Sequence, residues 1–513
     1  MKYILDSREM KQCDENTMRR RGMLSAVLME RAALATMQEI IKRYPNPVTK
    51  VLVVCGSGNN GGDGVAGARL LYLKGYNVTI YFAGNREKAT EETKRQMFIA
   101  EQYGVEISDE YPKDIVDVIV DALFGIGLSR EVTGKYAEIL QKMTEQDGYK
   151  VAVDIASGIS ADTGAVMGTA FAADLTVTFG FVKAGQLLYP GAEYTGELKV
   201  ADIGIDEQSL YEIKPELKVL ETSDLNRLPR RVNRSNKGSY GKLLILAGSK
   251  QMAGAAVFAA KAAYRMGCGL VRVATVEENR MILQELVPEA VLAVYNNGTD
   301  VVEFVETQLH WADAVVAGPG IGQSDLSERM LYELLKRIQV PCLCDADALN
   351  LLSKHPDWWK LVQSPLVITP HLGEMARLTG RPLTEIRDRL VQTAQEFAME
   401  HQITVVLKDA RTITAQPDGQ SYINVSGNHG MATAGAGDVL SGVVGALLAQ
   451  KLDMYLSAAL GVFIHGLAGD AAAERVGHCA MMASDIVDGL MDVLRKQEDT
   501  KKNERISENM CRH

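Results

Sequence analysis

Gly427-Asn-His-Gly-Met-Ala-Thr-Ala-Gly-Ala-Gly-Asp-Val-Leu-Ser-Gly442 is the stretch that the rest of the chain serves. Gly427, Gly430, Gly435 and Gly437 fall within eleven residues, and Asp438 then opens the apolar run 439–448. Glycine lets a backbone approach a ligand closely. The run reads as a buried helix whose first N–H groups face the loop, an anion site strengthened by the helix dipole. A carboxylate beside such a site either holds a metal or takes a proton from whatever attacks a phosphate. The plainer alternative is a Gly-rich turn closed by an aspartate cap.

At 513 residues, two to three domains are expected, and 47% hydrophobic with 23% charged residues suits a large core. The formal charge of −10 argues against a nucleic-acid surface, so local lysines and arginines must attract any anionic ligand. Seven scattered cysteines (Cys13, Cys55, Cys268, Cys342, Cys344, Cys479 and Cys511) form no CxxC pair, which fits reduced thiols rather than disulfides or zinc. The N-terminus has no signal-peptide core and no uncharged apolar run reaches membrane-spanning length, so a soluble, cytoplasmic chain is expected.

Residues 8–43 carry one helical pattern, stopped by Pro45 and Pro47. Val51-Leu-Val-Val-Cys55 is a buried strand, the glycine loop 56–64 follows, and a helix is expected over 65–74. Strand, glycine loop, helix is the geometry of a phosphate cradle. Gly56, Gly58 and Gly61 satisfy GxGxxG, but the next strand, 77–84, ends without the acidic residue a dinucleotide site needs, so simple NAD-dependent hydride transfer is disfavoured. Two further strands end in Asp121 and Asp154. Asn59, Asn60, Asp63, Asp121, Asp154 and Ser157 are thereby brought to one crevice, with oxygen ligands that suit an alkali ion better than zinc. Strand-end aspartates that merely cap the next turn are the alternative. Lys183 is either a phosphate partner or a solvated lysine.

Residues 212–231 are polar and carry Pro215 and Pro229, the best linker candidate. The stretch 233–240 is expected to be a mobile lid. Beyond it, Lys242-Leu-Leu-Ile-Leu-Ala247, 271–275, 314–322, 342–349, 366–374 and 404–408 alternate with helical segments, so a mostly parallel sheet wrapped by helices is expected. The tail from Arg495 is charged and expected to fray.

Gly-Ala-Gly-Asp before a small, apolar helix resembles the anion-hole motif of the ribokinase-like superfamily, and the longer 427–442 string is similar to its NAD(P)H-hydrate dehydratases. Asn59-Asn-Gly-Gly-Asp-Gly64, Asp121-Ala-Leu-Phe-Gly-Ile-Gly127 and Val153-Asp-Ile-Ala-Ser-Gly158 resemble the NAD(P)H-hydrate epimerases. The resemblance implies an N-terminal Rossmann-like α/β domain over 1–214, a linker over 215–234, a ribokinase-like α/β domain over 235–494 and a tail over 495–513. It implies K+ on Asn60, Asp121 and Ser157. The hydrated nucleotide would lie against Asn59, Asn60, Gly61, Gly62, Asp63, Gly125, Ile126, Gly127 and Asp154, the last as base. In the second domain Ala255, Gly320, Gly322, His371 and Asp438 would contact the hydrate. Lys408, Asp409, Ala410, Arg411, Thr412, Gly435 and Gly437 would hold ADP or ATP with Mg2+, and Asp438 would be catalytic. Ala156, Asp409, His429 and Ala436 depart from the family pattern, and a homo-oligomer is expected. A plain small-molecule kinase is the rival reading, but it leaves the first 210 residues unexplained.

Overall fold

The computed structural model describes residues 1–112 and 115–510, with side chains through Asp499. The chain forms two compact units, Tyr3–Leu217 and Lys218 onward, the latter taking in Met1 and Lys2.

In the first unit seven strands form one parallel sheet. Its order is Ile107–Ser108, Asn77–Phe82, Lys50–Cys55, Val118–Ala122, Tyr149–Val153, Leu175–Phe179 and Glu197–Ala201. The strand order reverses between Lys50–Cys55 and Val118–Ala122, the point where open sheets of this kind bind ligands beyond the strand C-termini. Lys50–Cys55 buries both faces, as a central parallel strand must. Val51, Val53 and Cys55 pack on one side with Leu28, Ala32 and Val65 from two helices. Leu52 and Val54 pack on the other with Ile139, Leu140 and Met143. The unit is three-layered.

The single expected N-terminal helix is two, Ser7–Arg21 and Ser25–Arg43. Gly22, at φ +69°, ends the first in the left-handed region. The expected glycine loop is also a correction, because the helix begins at Asn59 and runs to Leu73. Glycine is a poor helix former, but close packing overrides propensity: a Cβ on Gly61 would lie 1.9 Å from the Gly56 carbonyl oxygen.

In the second unit the strands Val291–Tyr295, Leu270–Val276, Lys242–Leu246, Ala314–Ala317, Cys342–Cys344, Leu366–Ile368 and Thr404–Leu407 are parallel neighbours in that order. Ile413–Ala415 and Ser421–Ile423 continue the sheet antiparallel. One sheet face is covered by Ala253–Arg265, Ala436–Ala449, Met454–Val476 and the start of Ala483–Met510. Met454–Val476 is long and apolar enough to cross a membrane by length and composition, but 78% of its apolar window is buried in this core. The polar stretch expected as a linker is instead ordered, with Leu220, Leu225 and Leu228 buried in the same core. The expected lid is anchored: Tyr240 is buried, its hydroxyl lies 2.7 Å from Ser235 Oγ, and Arg231 stacks on its ring. The backbone from Arg495 remains helical to Met510 rather than fraying, and the Gln497 amide donates to the Leu225 carbonyl.

Candidate functional sites

The sheet end of the first unit opens into a cleft of about 620 Å³, lined among others by Asn59, Asn60, Asp63, Gly125, Ile126, Gly127 and Asp154. Gly61 and Gly62 lie in the same helical turn as Asn59, Asn60 and Asp63, with Gly62 buried against Met29 and Thr93. The amides of Asn59, Asn60 and Gly61 meet no acceptor among the described residues, as expected of a first helical turn that faces a ligand.

Beneath that turn lies a nest of oxygens. Ser157 donates from its hydroxyl to Asp121 Oδ1 (2.6 Å) and from its amide to Oδ2 (2.7 Å), and the Leu123 amide adds a third bond. Burial pushes the Asp121 carboxyl up to about 6 against those three bonds. Asn60 donates from Nδ2 to the Phe124 carbonyl (3.0 Å), which leaves its buried Oδ1 with no partner. An orphaned buried carbonyl costs roughly 1–3 kcal/mol, so it needs an explanation. A cation held by Asn60 Oδ1, Asp121 and Ser157 would supply one. The set is all oxygen, and among the described residues no cluster of three His, Cys, Asp or Glu offers a transition-metal site.

Asp154 sits at φ +65°, rare for a side chain with a Cβ and the kind of strain that collects at functional sites. Lys183 is not a solvated lysine. It is wholly buried, and its ammonium lies 2.6 Å from Asp154 Oδ1, which also accepts from Thr178 Oγ1 (3.1 Å). The aspartate is therefore aimed by its partners.

Among the cleft residues that sequence reasoning missed are Lys11 and Asp14, both from the helix Ser7–Arg21. Burial is the main reason the Asp14 carboxyl rises to about 7, with Lys183 opposing it and Asp154 adding to it. Asp63, more deeply buried, is raised well above the carboxylate range by desolvation and by Asp154 and Asp14.

In the second unit the expected residues again meet at strand C-termini. A Cβ on Gly320 would lie 2.9 Å from that of Ala255, so these two share a wall. The Gly322 amide donates to Asp347 (2.9 Å). His371 and Lys408 are bridged side by side, with the Lys408 amide on the Pro370 carbonyl. His371 Nδ1 accepts from the amides of Gly373 (3.0 Å) and Glu374 (3.3 Å), while Glu374 Oε2 accepts from the His371 amide, a capping box. With Nδ1 an acceptor, the ring proton sits on Nε2. Burial, then the charges of Lys408 and Arg377, lower the His371 pKa and favour the neutral imidazole, whose Nε2 lies 3.4 Å from Glu374 Oε1.

At the mouth of the helix Ala436–Ala449 the amides of Gly435, Gly437 and Asp438 have no acceptor among the described residues. Asp438 stands in that first turn, its carboxyl raised to about 7 by burial and by Asp345 and Asp347, with Lys408 opposing. Lys408 Nζ is 2.8 Å from Asp345 Oδ1, and Ser441 donates to Asp345 Oδ2 (2.7 Å). Burial disfavours the Lys408 ammonium, but Asp345 and Glu374 outweigh it and hold its pKa above the ordinary value. A Cβ on Gly437 would stand 3.5 Å from Lys408 Nζ. Lys408 is thus turned inward to the acidic cluster, while Asp409 and Ala410 are exposed and Arg411 and Thr412 half-buried. Asp345 and Ser441 are the residues missed here. The acidic turn after Cys344 was the available signal, and Ala346, at φ +53°, marks it as strained. The arrangement sets a carboxyl and backbone amides that have no acceptor among the described residues within one helical turn.

Comparison with known proteins agrees in both halves. The model of the NAD(P)H-hydrate dehydratase family matches residues 243–491, and that of the YjeF-related protein N-terminus matches 25–185. The bifunctional NAD(P)H-hydrate repair enzyme Nnr of Moorella thermoacetica is 37% identical, covering 97% of this chain and 97% of its own length. The protein of the same name from Escherichia coli K12 is also 37% identical, over 95% of this chain and 93% of its own. A solved ADP/ATP-dependent NAD(P)H-hydrate dehydratase from Bacillus subtilis, co-crystallised with ATP and Mg2+, is 30% identical over 54% of this chain and 98% of its own, at a TM-score of 0.49.

Proposed function

The chain belongs to the bifunctional NAD(P)H-hydrate repair enzymes, which join an epimerase to a dehydratase, and from that premise we propose how its residues divide the work. Hydration across the 5,6 bond of a reduced nicotinamide leaves a hydroxyl at C6, and hydroxide is a poor leaving group. Phosphorylating that hydroxyl makes it a good one; the ring nitrogen then expels phosphate, and loss of a proton from C5 restores the 5,6 double bond.

In the second unit Asp438 takes the C6 hydroxyl proton, and the amides of Gly435 and Gly437 receive the transferred phosphoryl group. The observation that carries this reading is the coincidence of unbonded amides with a half-buried carboxyl in one helical turn, beside the Lys408–Asp345 pair. Ala255, Gly320 and Gly322 shape the hydrate wall, His371 donates from Nε2, and the segment 408–412 contacts ADP or ATP. Mg2+ would arrive on the nucleotide phosphates and neutralise their charge. In the first unit Asn60, Asp121 and Ser157 would hold K+, whose positive charge would offset that of the Asp121 carboxylate. Asp154 is the base that interconverts the R and S hydrates, so that both reach a dehydratase specific for S.

The test follows reduced-nicotinamide absorbance from mixed hydrates with ADP or ATP, Mg2+ and K+. Complete, nucleotide-dependent recovery is expected, and Asp438→Asn should abolish it while R/S interconversion continues. Recovery that survives Asp438→Asn would remove the base from this scheme.

A further inference from the structure

The cleft of the first unit holds a carboxyl that none of the sequence motifs uses. Asp14 projects from the helix Ser7–Arg21, outside the family-matched segment 25–185, yet lines the same cleft as Asp154 and Lys183. We propose that Asp14 is the second proton-transfer group of epimerisation, the acid that complements Asp154 as base.

Epimerising a carbinolamine carbon needs both. If Asp154 takes the C6 hydroxyl proton, that oxygen forms a carbonyl with C6, the C6–N1 bond breaks, and its electron pair goes to N1. N1 must then gain a proton, and Asp14 supplies it. The product is an open aldehyde with an N–H enamine, and a half-turn about C5–C6 presents the other carbonyl face. On reclosure N1 attacks C6, its proton returns to Asp14, and Asp154 returns the other to oxygen. C6 is inverted, and atoms and electrons balance without any further reactant.

The geometry favours Asp14 over the other carboxyls of the cleft. Asp121 is consumed by three hydrogen bonds beneath the helix turn. Asp154 is paired with Lys183. Asp14 has no hydrogen-bond or ion-pair partner among the described residues, though it is mostly withdrawn from solvent, and it enters from a helix rather than from the sheet edge. Asp63 is likewise unpartnered but lies deeper, where desolvation opposes its ionised form more strongly, so it gives up a proton less readily than Asp14. The charged and titratable groups around Asp14 are Lys183, Asp154, Asp63, Glu15 and Cys13, with Lys11 also on the cleft wall. Burial, with Asp154 and Glu15 adding to it, outweighs Lys183 and raises the Asp14 carboxyl to about 7, where it can carry a proton near neutral pH.

The inference rests on the reading of Asp154 as base, and the test separates the two. Full-length protein is given the R hydrate without nucleotide, and the appearance of S is followed by chromatography. Asp14→Asn should slow interconversion about 10²-fold or more, the usual worth of a general acid, while dehydration of S by the same preparation stays within about twofold. The wild-type rate should fall as pH rises through about 7, with a solvent deuterium isotope effect. Asp14→Glu should restore part of the rate and displace that limb. Interconversion within about threefold of wild type in Asp14→Asn, or an unmoved alkaline limb in Asp14→Asn or Asp14→Glu, overturns the proposal. If Asp14→Asn fails to fold, judged by loss of the K+-dependent melting shift, the Asp14→Glu limb decides. Full activity in Asp154→Asn with loss in Asp14→Asn would instead remove Asp154 and leave Asp14 standing.

Discussion

Asp345 offers the sharpest test of the second site because one carboxylate sets the charge of two working groups. It lies 2.8 Å from Lys408 and accepts from Ser441, and after burial it is the leading cause of the raised Asp438 pKa. Asp345→Asn keeps the shape and one acceptor oxygen while removing the charge. With Asp438 at about 7, its ionised fraction falls about fivefold from pH 7 to 6 and about fiftyfold by pH 5, and kcat/KM for the S hydrate should follow. In Asp345→Asn this acidic limb should move to lower pH, because one carboxylate no longer opposes ionisation of Asp438. Any alkaline limb due to Lys408 should also move down, since its nearest partner is gone. Breaking a buried ion pair costs roughly 3–5 kcal/mol, which for a unit of this size lowers Tm by on the order of 10 °C. The assay is kcat/KM between pH 5 and 9, with melting by circular dichroism. An acidic limb that stays in place, or moves up, refutes the argument that Asp345 governs Asp438.

Four further outcomes are expected. Gly61→Ala should abolish epimerisation and lower the Tm of the first unit, because its Cβ would stand 1.9 Å from a backbone oxygen, whereas Gly58→Ala meets nothing within 4 Å and should be tolerated; equal melting of the two variants would contradict this. Lys183→Met should cost roughly 3–5 kcal/mol by stranding Asp154 and should stop interconversion but not dehydration of S, as separate assays on each epimer will show. K+ should raise Tm more than an equal ionic strength of tetramethylammonium, and more at pH 8 than at pH 5, because protons compete with it at Asp121. Without K+, the first unit should lose stability as pH rises from about 4 through 7: Asp14 and Asp121 have raised folded-state pKa values, so the folded state binds more protons than the unfolded state in that window. A melting temperature that climbs over the same range would reverse that sign.

Much of both sites was legible because their motifs are anchored to strand ends, and buried parallel strands announce themselves as apolar runs. Lys50–Cys55 and Ala314–Ala317 could be read that way, and the chemistry beyond each followed in sequence order. Asp14 was invisible for the opposite reason. It is one polar residue on an ordinary helix, and only tertiary packing carries it to a cleft made by distant segments. Lys183 misled because burial of a lysine depends on a partner 29 residues away. The start of the helix at Asn59 was hidden by glycine's low propensity, which backbone packing overrode.

Asp154 and the Asp345–Ala346 turn share the uncommon left-handed backbone at the end of a sheet strand. Such a residue costs roughly 1–2 kcal/mol relative to ordinary geometry, and glycine relieves that cost but gives back about 0.5–1 kcal/mol in chain entropy. Ala346→Gly should therefore pass a stability screen almost unnoticed, while the carboxylate beside it gains freedom to wander. A library ranked by melting temperature would keep such variants and lose turnover, so selection on this scaffold has to be applied to catalysis itself.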